Sequence, residues 1–403
     1  MMRLFLLLTC VLLTVTATAQ QGNWTAQIQR PDGNKIVFTF EWKTENGKPV
    51  WYIKNAAEKI KVQNITVSGD SLIVQMPVFE SQFRIMANNN IISGVWIKRG
   101  AVKTQVLPFT ATPGNNRFTP GGKPTQNISG RWAVTFGEGA GAESSVGEFV
   151  QKGNLLTGTF LNASGDYRYL EGIVTKDSLL LSGFDGGHAY LFRALISNAH
   201  TITNGQFFSG SGGKQNWVAV KNSAAKLATE SVAMFVKAGQ EKLDFTFKNL
   251  EGKPVSINDD RFKNKVVIIQ IMGSWCPNCM DETAFLSDYY NRNKQRGVEV
   301  IALAYEYTTD WQRSLNSLKK FQHRFNVQYP ILNTEVTVGD SLKTEKTLPQ
   351  VTAIQSFPSS IILDKKGKIR KLDTEFNGPA TGIHYTEYKK EFEQTINGLL
   401  KEN

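Results

Sequence analysis

Short runs of alternating apolar and polar residues fill the chain from Gly22 to about Asn222. Examples are "KIVFTFEW", "SLIVQMPVF" and "SQFRIMA", which are rich in β-branched and aromatic residues and are separated by turn sequences such as Asn46-Gly47. Alternation with a period of two places successive side chains on opposite faces of a strand. No segment of this half has a sustained helical period. The pattern therefore predicts a β-rich N-terminal half.

The same short patterns occur twice within this half. "GNWTAQI", beginning at Gly22, is echoed by "GRWAVTF", beginning at Gly130, and "SGDSLIV" is echoed by "TKDSLLL" at nearly the same separation. A constant separation between similar segments indicates a duplicated module. We predict one module over residues 20–112 and a second over residues 128–222. Each would be a barrel or sandwich of roughly eight strands that protects its own edges.

The pattern changes after residue 222. Residues 223–237 have a helical composition and are predicted to connect the β-rich half to a last domain. In that domain strands and helices alternate: "KVVIIQIMG" is continuously apolar, as a strand buried on both faces should be, and a helix is predicted from Cys276. The alternation predicts an α/β domain over residues 238–403.

The first residues, "MMRLFLLLTCVLLTVTATAQ", combine a positive charge at Arg3, an apolar run and small residues at Ala17 and Ala19. This pattern is typical of a secretory signal peptide, here over residues 1–19 with cleavage before Gln20. The apolar run is short for a membrane span, and an uncleaved anchor is the alternative. The prediction is export to the periplasm or cell envelope, without a stable membrane span.

The 403-residue chain carries a formal net charge of +11 and is 41% hydrophobic. Its length predicts more than one domain, each with a substantial core. The lysines are spread along the chain, and export argues against a nucleic-acid partner. The charge is therefore interpreted as a solvated basic surface.

Two cysteines carry the candidate chemistry, Cys276 and Cys279 in "GSWCPNCMDE", while Cys10 would leave with the signal peptide. A zinc site requires about four ligands, and the histidines are scattered, so no metal site is predicted. A structural disulfide across so short a loop would stabilise the fold little. The spacing instead predicts a redox pair whose two thiols form a disulfide reversibly.

A helix that starts at this pair gives the two cysteines different tasks. The free N–H groups and the dipole of a helix start favour a thiolate at the first position. Cys276 is predicted to be the exposed nucleophile that attacks a disulfide. Cys279, one turn further along, is predicted to be the buried thiol that resolves the mixed disulfide.

The segment "VVIIQIMGSWCPNCMDETAFL" resembles the active-site segment of exported TlpA/ResA-like thiol–disulfide oxidoreductases, which have the thioredoxin fold. "SFPSSIILDKKGKI" is similar to the family segment that carries a cis-proline, and "FNGPATGIHYTEYKKEF" resembles Bacteroidetes-type members. The resemblance covers the C-terminal domain alone. It implies a thioredoxin-like fold for residues 238–403 and a redox-active disulfide between Cys276 and Cys279, and it implies no cofactor.

The same resemblance implies a substrate-binding role for three residues. Pro358 takes the position of the cis-proline and would orient the backbone of Phe357, so that a substrate peptide adds as a strand. Trp275 would shield the cysteine pair. The implied partners are protein disulfides or thiols, together with a membrane electron donor.

Four positions depart from thioredoxin itself or distinguish members of the family. Thioredoxin has a buried aspartate at the position of Gln270, which cannot titrate. TlpA/ResA-like members often carry an acid at the position of Glu282, which is either the proton acceptor for Cys279 or a solvated helix residue. The residues between the cysteines, Pro277 and Asn278, bring no positive charge, which favours a reductase over a disulfide donor.

The leading hypothesis is an exported thiol–disulfide oxidoreductase that reduces disulfides of envelope proteins. The alternative is a cell-envelope binding module, in which the β-rich half binds a ligand or partner and the thioredoxin-like domain is accessory. A peroxidase of the same fold would have a threonine three residues before its reactive cysteine, where this chain has Gly273.

Overall fold

A computed structural model describes residues 21–68, 71–88, 90–228 and 232–402. The predicted signal peptide, its cleavage position at Gln20 and Cys10 lie outside these residues. Within the described part of the chain, no helix combines the length and the apolar character that crossing a bilayer requires.

The first module is a single antiparallel sheet, which has nine strands among the described residues of 22–113. The strands are Gly22–Gln29 (β1), Lys35–Glu45 (β2), Lys48–Asn55 (β3), Glu58–Val62 (β4), Asn64–Ser68 (β5), Ser71–Gln75 (β6), Ser81–Ala87 (β7), Ile92–Arg99 (β8) and Thr104–Pro113 (β9). They lie in the order β4-β3-β2-β1-β9-β8-β7-β6-β5. The sheet surrounds an aromatic core that includes Phe38, Trp51 and Phe83.

The second module repeats this arrangement within residues 130–221, all of which are described. Its strands are Gly130–Phe136 (β10), Glu143–Lys152 (β11), Leu155–Asn162 (β12), Gly165–Asp166 (β13), Leu170–Thr175 (β14), Ser178–Phe184 (β15), Ala189–Asn198 (β16), Thr201–Ser209 (β17) and Gly213–Lys221 (β18). Their order is β11-β10-β18-β17-β16-β15-β14-β12-β13, and β11 also pairs with β12. That extra pairing closes the sheet into a barrel, with β13 attached to β12.

Both sheets have the same connectivity, since β1 pairs with β2 and β9 just as β10 pairs with β11 and β18. The prediction of a β-rich half built from duplicated, barrel-like modules is confirmed. The inside of the second barrel is filled by side chains such as Phe160, Phe192 and Trp217, each at most 1% exposed. It is a packed core rather than a ligand cavity.

The two modules pack against each other through the end of β15. The ring of Phe184 stacks on Phe38 of the first module, with 4.3 Å between the ring centroids. The side-chain amide of Asn55 donates a hydrogen bond to the Phe184 carbonyl over 2.9 Å. The core of the first module is thus completed by a residue of the second.

The C-terminal domain is built on a seven-stranded mixed sheet within residues 232–402. Its strands are Thr246–Asn249 (β19), Pro254–Ser256 (β20), Val266–Met272 (β21), Val298–Ala304 (β22), Ile331–Asn333 (β23), Ser359–Leu363 (β24) and Ile369–Asp373 (β25), and its α-helices are Pro277–Asn293 (α1), Trp311–Phe325 (α2), Lys343–Thr347 (α3) and Ile383–Lys401 (α4). The strand order is β20-β19-β23-β22-β21-β24-β25. Strands β21, β22 and β23 run parallel, and β24 pairs antiparallel with β21.

Strand β21 forms the centre of this domain. Each of its residues is buried, because hydrophobic clusters cover both faces of the sheet. Ile268 packs in the cluster that includes Phe392 of α4, and Ile269 packs in the cluster on the opposite face. The predicted thioredoxin-like fold is confirmed, and the buried strand leads directly into the cysteine pair.

The connector differs from the expectation of helical structure. In the described parts of residues 223–237 the chain forms no α-helix. Val236 instead makes an isolated antiparallel bridge with Val351, and Met234 is buried. Tertiary contacts with the C-terminal domain therefore override the local helical propensity of this segment.

Replacing Phe184 with alanine tests how closely the modules depend on each other. Phe184 is 1% exposed, so we expect Phe184→Ala to lower the free energy of unfolding by about 3–5 kcal/mol. The midpoint of urea unfolding, followed by tryptophan fluorescence, would report the change. Val218→Ala is the control: it shortens the side chain of a residue on β18 that is 48% exposed, and it should change the free energy of unfolding by less than about 0.5 kcal/mol. Equal effects of both variants would contradict this account of the junction.

Candidate active site

The cysteine pair lies where the central strand passes into the first helix. Helix α1 begins at Pro277, which suits a first helical position because proline has no N–H to satisfy. Cys276 caps the helix: its Sγ accepts the N–H of Cys279 over 3.2 Å. Both thiols are free in this structure. The pair is therefore in its dithiol form, with the first sulfur held at the helix start.

The segment before β24 faces this sulfur. The Phe357–Pro358 peptide bond is cis. The Sγ–H of Cys276 donates to the carbonyl oxygen of Phe357 over 3.3 Å. The fold thus brings together Cys276, Phe357 and Pro358, which are far apart in the sequence.

Trp275 forms one wall of the site and is only partly buried. Its indole N–H donates to the carbonyl of Tyr305 over 2.8 Å. Its ring stacks on Tyr307, with 5.2 Å between ring centroids, and also contacts Phe357. The hydrogen bond and the two ring contacts together fix the orientation of the indole.

A buried carboxylate, that of Glu306, contacts the segment between β21 and α1, and sequence reasoning missed it. Glu306 follows β22 and is 6% exposed. It accepts the backbone N–H of Ser274 over 2.8 Å and the Ser274 hydroxyl over 2.6 Å. Burial raises the pKa of Glu306 to about 7, against the effect of these two hydrogen bonds. The one available signal was an acid directly after the apolar run "VEVIALAY".

Glu282 is buried inside α1 and is 1% exposed, so the interpretation as a solvated helix residue was wrong. Its Oε2 accepts a hydrogen bond from the side-chain amide of Gln270 over 2.8 Å. Burial raises the pKa of Glu282 to about 8. Gln270, the residue at the position of the thioredoxin aspartate, is thus a hydrogen-bond partner of the acid, together with Tyr388.

Cys279, the predicted resolving thiol, is buried in a hydrophobic cluster. Burial is the largest influence on Cys279 and raises its pKa well above the usual value, with further contributions from Cys276 and, less strongly, Glu282. Cys279 therefore favours the neutral thiol, and the predicted resolving role would require a proton acceptor.

The expectation that Cys276 is exposed was wrong, since its residue exposure is only 3%. Val78 and Phe79 of the first module belong to the same hydrophobic cluster as the cysteines. Pro277 lines a small pocket together with His188 and Tyr190 of the second module. The β-rich half therefore lies over the cysteine pair, which no local sequence pattern could reveal.

No set of three or more His, Cys, Asp or Glu side chains in the described residues is arranged to hold a metal ion. The chemistry on view is that of the two thiols and the neighbouring acids.

A helix that starts at a cysteine pair, opposite a cis-proline and beside a central parallel strand, defines a thioredoxin-like oxidoreductase domain. Residues 220–387, in the C-terminal part of the chain, match the model of the Redoxin family.

Curated relatives resemble the same part of the chain. The thiol-disulfide oxidoreductase ResA of Bacillus thuringiensis subsp. konkukian is 29% identical over 155 residues, which are 38% of this chain and 78% of that protein. The ResA protein of Bacillus subtilis is 22% identical over 139 residues, or 34% of this chain and 68% of that protein. These matches support a thioredoxin-like thiol–disulfide oxidoreductase.

Among solved structures, a putative thiol:disulfide interchange protein DsbE from Chlorobium tepidum is 19% identical, with a TM-score of 0.32. The match covers 41% of this chain and 99% of the DsbE chain. A thiol-disulfide oxidoreductase from Bacteroides fragilis is 19% identical, with a TM-score of 0.28, over 37% of this chain and 98% of its own.

The pKa of Glu282 gives a prediction about stability and pH. Its folded value of about 8 lies above its ordinary value of 4.5, so its contribution to stability is complete below about pH 4.5 and is lost as the pH rises to about 8. We expect the wild type to lose stability relative to Glu282→Gln over this range, by at most about 1.4 kcal/mol per pH unit. Urea unfolding of both proteins between pH 4 and about pH 9 measures the difference.

The difference in the free energy of unfolding between wild type and Glu282→Gln reports on the Glu282 carboxyl group, because every other titrating group is common to both proteins. Glu391→Gln, which replaces an exposed glutamate of α4, is the matched control and should follow the wild type at each pH. A stability difference between wild type and Glu282→Gln that stays constant with pH would contradict the assignment.

Proposed function

We propose that this protein is an exported thiol–disulfide oxidoreductase that reduces disulfides of proteins in the periplasm or cell envelope. The observation that carries the proposal is the position of the Cys276 sulfur. It accepts the N–H of Cys279 at the start of α1 and lies 3.3 Å from the Phe357 carbonyl, next to cis-Pro358. A thiolate there is stabilised by the helix start and faces the edge at which a peptide can bind.

The first step is attack by the Cys276 thiolate on one sulfur of a substrate disulfide. The substrate S–S bond breaks, a bond forms between Cys276 and that sulfur, and the second substrate sulfur leaves as a thiolate that takes up a proton. The N–H of Cys279 contacts the Cys276 sulfur in the free enzyme, so the resolving residue is already adjacent.

The second step releases the substrate. The Cys279 thiol loses its proton and attacks the Cys276 sulfur, forming the Cys276–Cys279 disulfide and freeing the other substrate sulfur as a thiolate. We assign Glu282, in its ionised form, as the acceptor of the Cys279 proton: both groups are buried, Glu282 contributes to the raised pKa of Cys279, and its own raised pKa makes its carboxylate a stronger base than an ordinary glutamate. The exchange moves two electrons from the dithiol to the substrate.

Substrate binding is assigned to the residues around the sulfur. The Phe357 backbone would pair with an extended substrate segment as an added strand, while Pro358 fixes its direction. Trp275, held by the Tyr305 carbonyl and Tyr307, would support the substrate from the side.

The proposed direction is reduction of the substrate. Pro277 and Asn278 place no positive charge between the cysteines to stabilise the thiolate strongly, and a less stabilised thiolate makes the disulfide less oxidising. Continued turnover then requires a dithiol donor at the membrane, which returns two electrons to the oxidised pair.

Single cysteine variants test the assigned roles. Cys276→Ser should abolish insulin-disulfide reduction, because the attacking sulfur is lost. Cys279→Ser should instead accumulate a mixed disulfide with the substrate, visible as a mass increase that dithiothreitol reverses. Reduction by Cys276→Ser at the wild-type rate would falsify the assignment, and adduct formation by Cys276→Ser rather than Cys279→Ser would reverse the two roles.

The equilibrium reduction potential of the pair tests the direction. We expect a value near that of thioredoxin, about −270 mV, from a dithiothreitol redox series read by thiol alkylation. A value near about −120 mV would identify a disulfide donor and contradict the proposed reductase.

A further inference from the structure

The face that a substrate disulfide must reach is already occupied in the free chain. Three segments of the β-rich half lie over it: the turn 76–80 of the first module, and residues 164–168 and 184–190 of the second. We call these segments the cover. Val78 and Phe79 of the cover share a hydrophobic cluster with Cys276, which is 3% exposed.

The cover contacts the residues between the two cysteines. Gly165 packs so closely on Asn278 that a Cβ at this glycine would lie 2.0 Å from the Asn278 side-chain nitrogen. Next to it, the Asp166 carboxylate accepts the backbone N–H of Gly378 over 3.0 Å. No space remains at this point for a bound peptide.

The strongest polar contact of the cover is made by Arg168, which is 8% exposed. Its guanidinium donates to both carboxylate oxygens of Asp281 on α1, over 2.9 and 2.8 Å, and to Glu58 of the first module over 2.6 Å. Burial acts to lower the pKa of Arg168, but Asp281, Glu58 and Asp185 outweigh it, so the pKa is raised. One charged side chain therefore joins both modules to the helix that carries the cysteines.

A second polar contact lies on the other side of the site. Arg313 of α2 donates to the Glu80 carboxylate over 2.9 and 2.5 Å. The same guanidinium donates to the Gly100 carbonyl over 2.8 Å. The first module is thus held to the C-terminal domain independently of Arg168.

We propose that the β-rich half closes over Cys276 as an autoinhibitory cover, and that thiol exchange requires it to open at the contacts of Arg168 and Arg313. This inference rests on the proposed function, because it concerns access to the same sulfur. A peptide strand at Phe357 and the cover at Pro277 and Asn278 compete for one face. The substrate is therefore a protein or peptide whose binding displaces the cover.

The rate at which Cys276 is alkylated measures this opening. The full chain is used with Cys10→Ser and Cys279→Ser, so that Cys276 is the one thiol present. Iodoacetamide is the probe, and the urea-unfolded chain gives the rate of the fully accessible thiol. When closing is faster than alkylation, the rate is proportional to the open population.

We expect the folded chain to react at least about a hundredfold more slowly than the unfolded chain. Arg168→Gln and Glu80→Gln should each raise the folded rate about tenfold, because each removes a charged contact of the closed state. Arg292→Gln is the matched control: it removes the exposed Arg292–Asp288 pair of α1, away from the cover, and should leave the rate unchanged.

A folded rate equal to the unfolded rate would overturn the cover. Folded rates that remain slow and equal in Arg168→Gln, Glu80→Gln and the parent would overturn the role of the two contacts. Circular dichroism and the urea midpoint identify a variant that fails to fold. If Arg168→Gln unfolds because three carboxylates lose their partner, Glu80→Gln decides the outcome, since Arg313 keeps its bond to Gly100.

Insulin reduction by the same variants, with both site cysteines restored, separates this inference from the proposed function. If insulin reduction depends on Cys276 but Cys276 of the folded parent is alkylated as fast as in the unfolded chain, the autoinhibitory cover is wrong and the proposed function stands. Fast alkylation of the opened variants with no reduction by any of them overturns the proposed function alone. Faster reduction in step with faster alkylation supports both.

Discussion

The site depends on the hydrogen bond from the Cys279 N–H to the Cys276 sulfur. It uses one of the N–H groups that a helix start leaves without an intrahelical partner. The bond exists because β21 is buried on both faces and delivers the chain to one fixed point, where Pro277 begins α1. The thiol chemistry, the direction of the helix dipole and the approach to Phe357 all follow from this placement.

The local sequence was sufficient to predict those parts of the site that consecutive residues form. A continuously apolar run predicted β21, and the helix predicted from Cys276 marked the start of α1. The resemblance supplied Pro358, whose cis bond no spacing argument could have derived. Repeated short motifs predicted the duplicated β-rich half, because equivalent strands need the same alternation and the same turns.

What sequence reasoning missed is long-range. Glu306 meets Ser274 only after β21 and β22 pair, and Arg168 meets Asp281 only after the second module packs on α1. The exposure of Cys276 was misjudged for the same reason, since a helix start is accessible by default. Glu282 was left undecided because a carboxylate beside a cysteine pair has no local signal that distinguishes a buried position from a solvated one.

The chemistry of the cover explains why it can close without sealing the site permanently. An apolar interface would gain free energy from every residue that it buries, whereas a buried ion pair must first lose its water, which offsets most of the attraction. Arg168 shows the imperfection directly: one guanidinium nitrogen, Nη1, lies 3.8 Å from Asp185 and has no hydrogen-bond partner among the described residues. Such a contact fixes the position of the cover sharply while contributing little net stability. A substrate that supplied strand pairing at Phe357 would have to outweigh this contact together with the Arg313–Glu80 contact and the apolar contacts of Val78 and Phe79 to reach the sulfur.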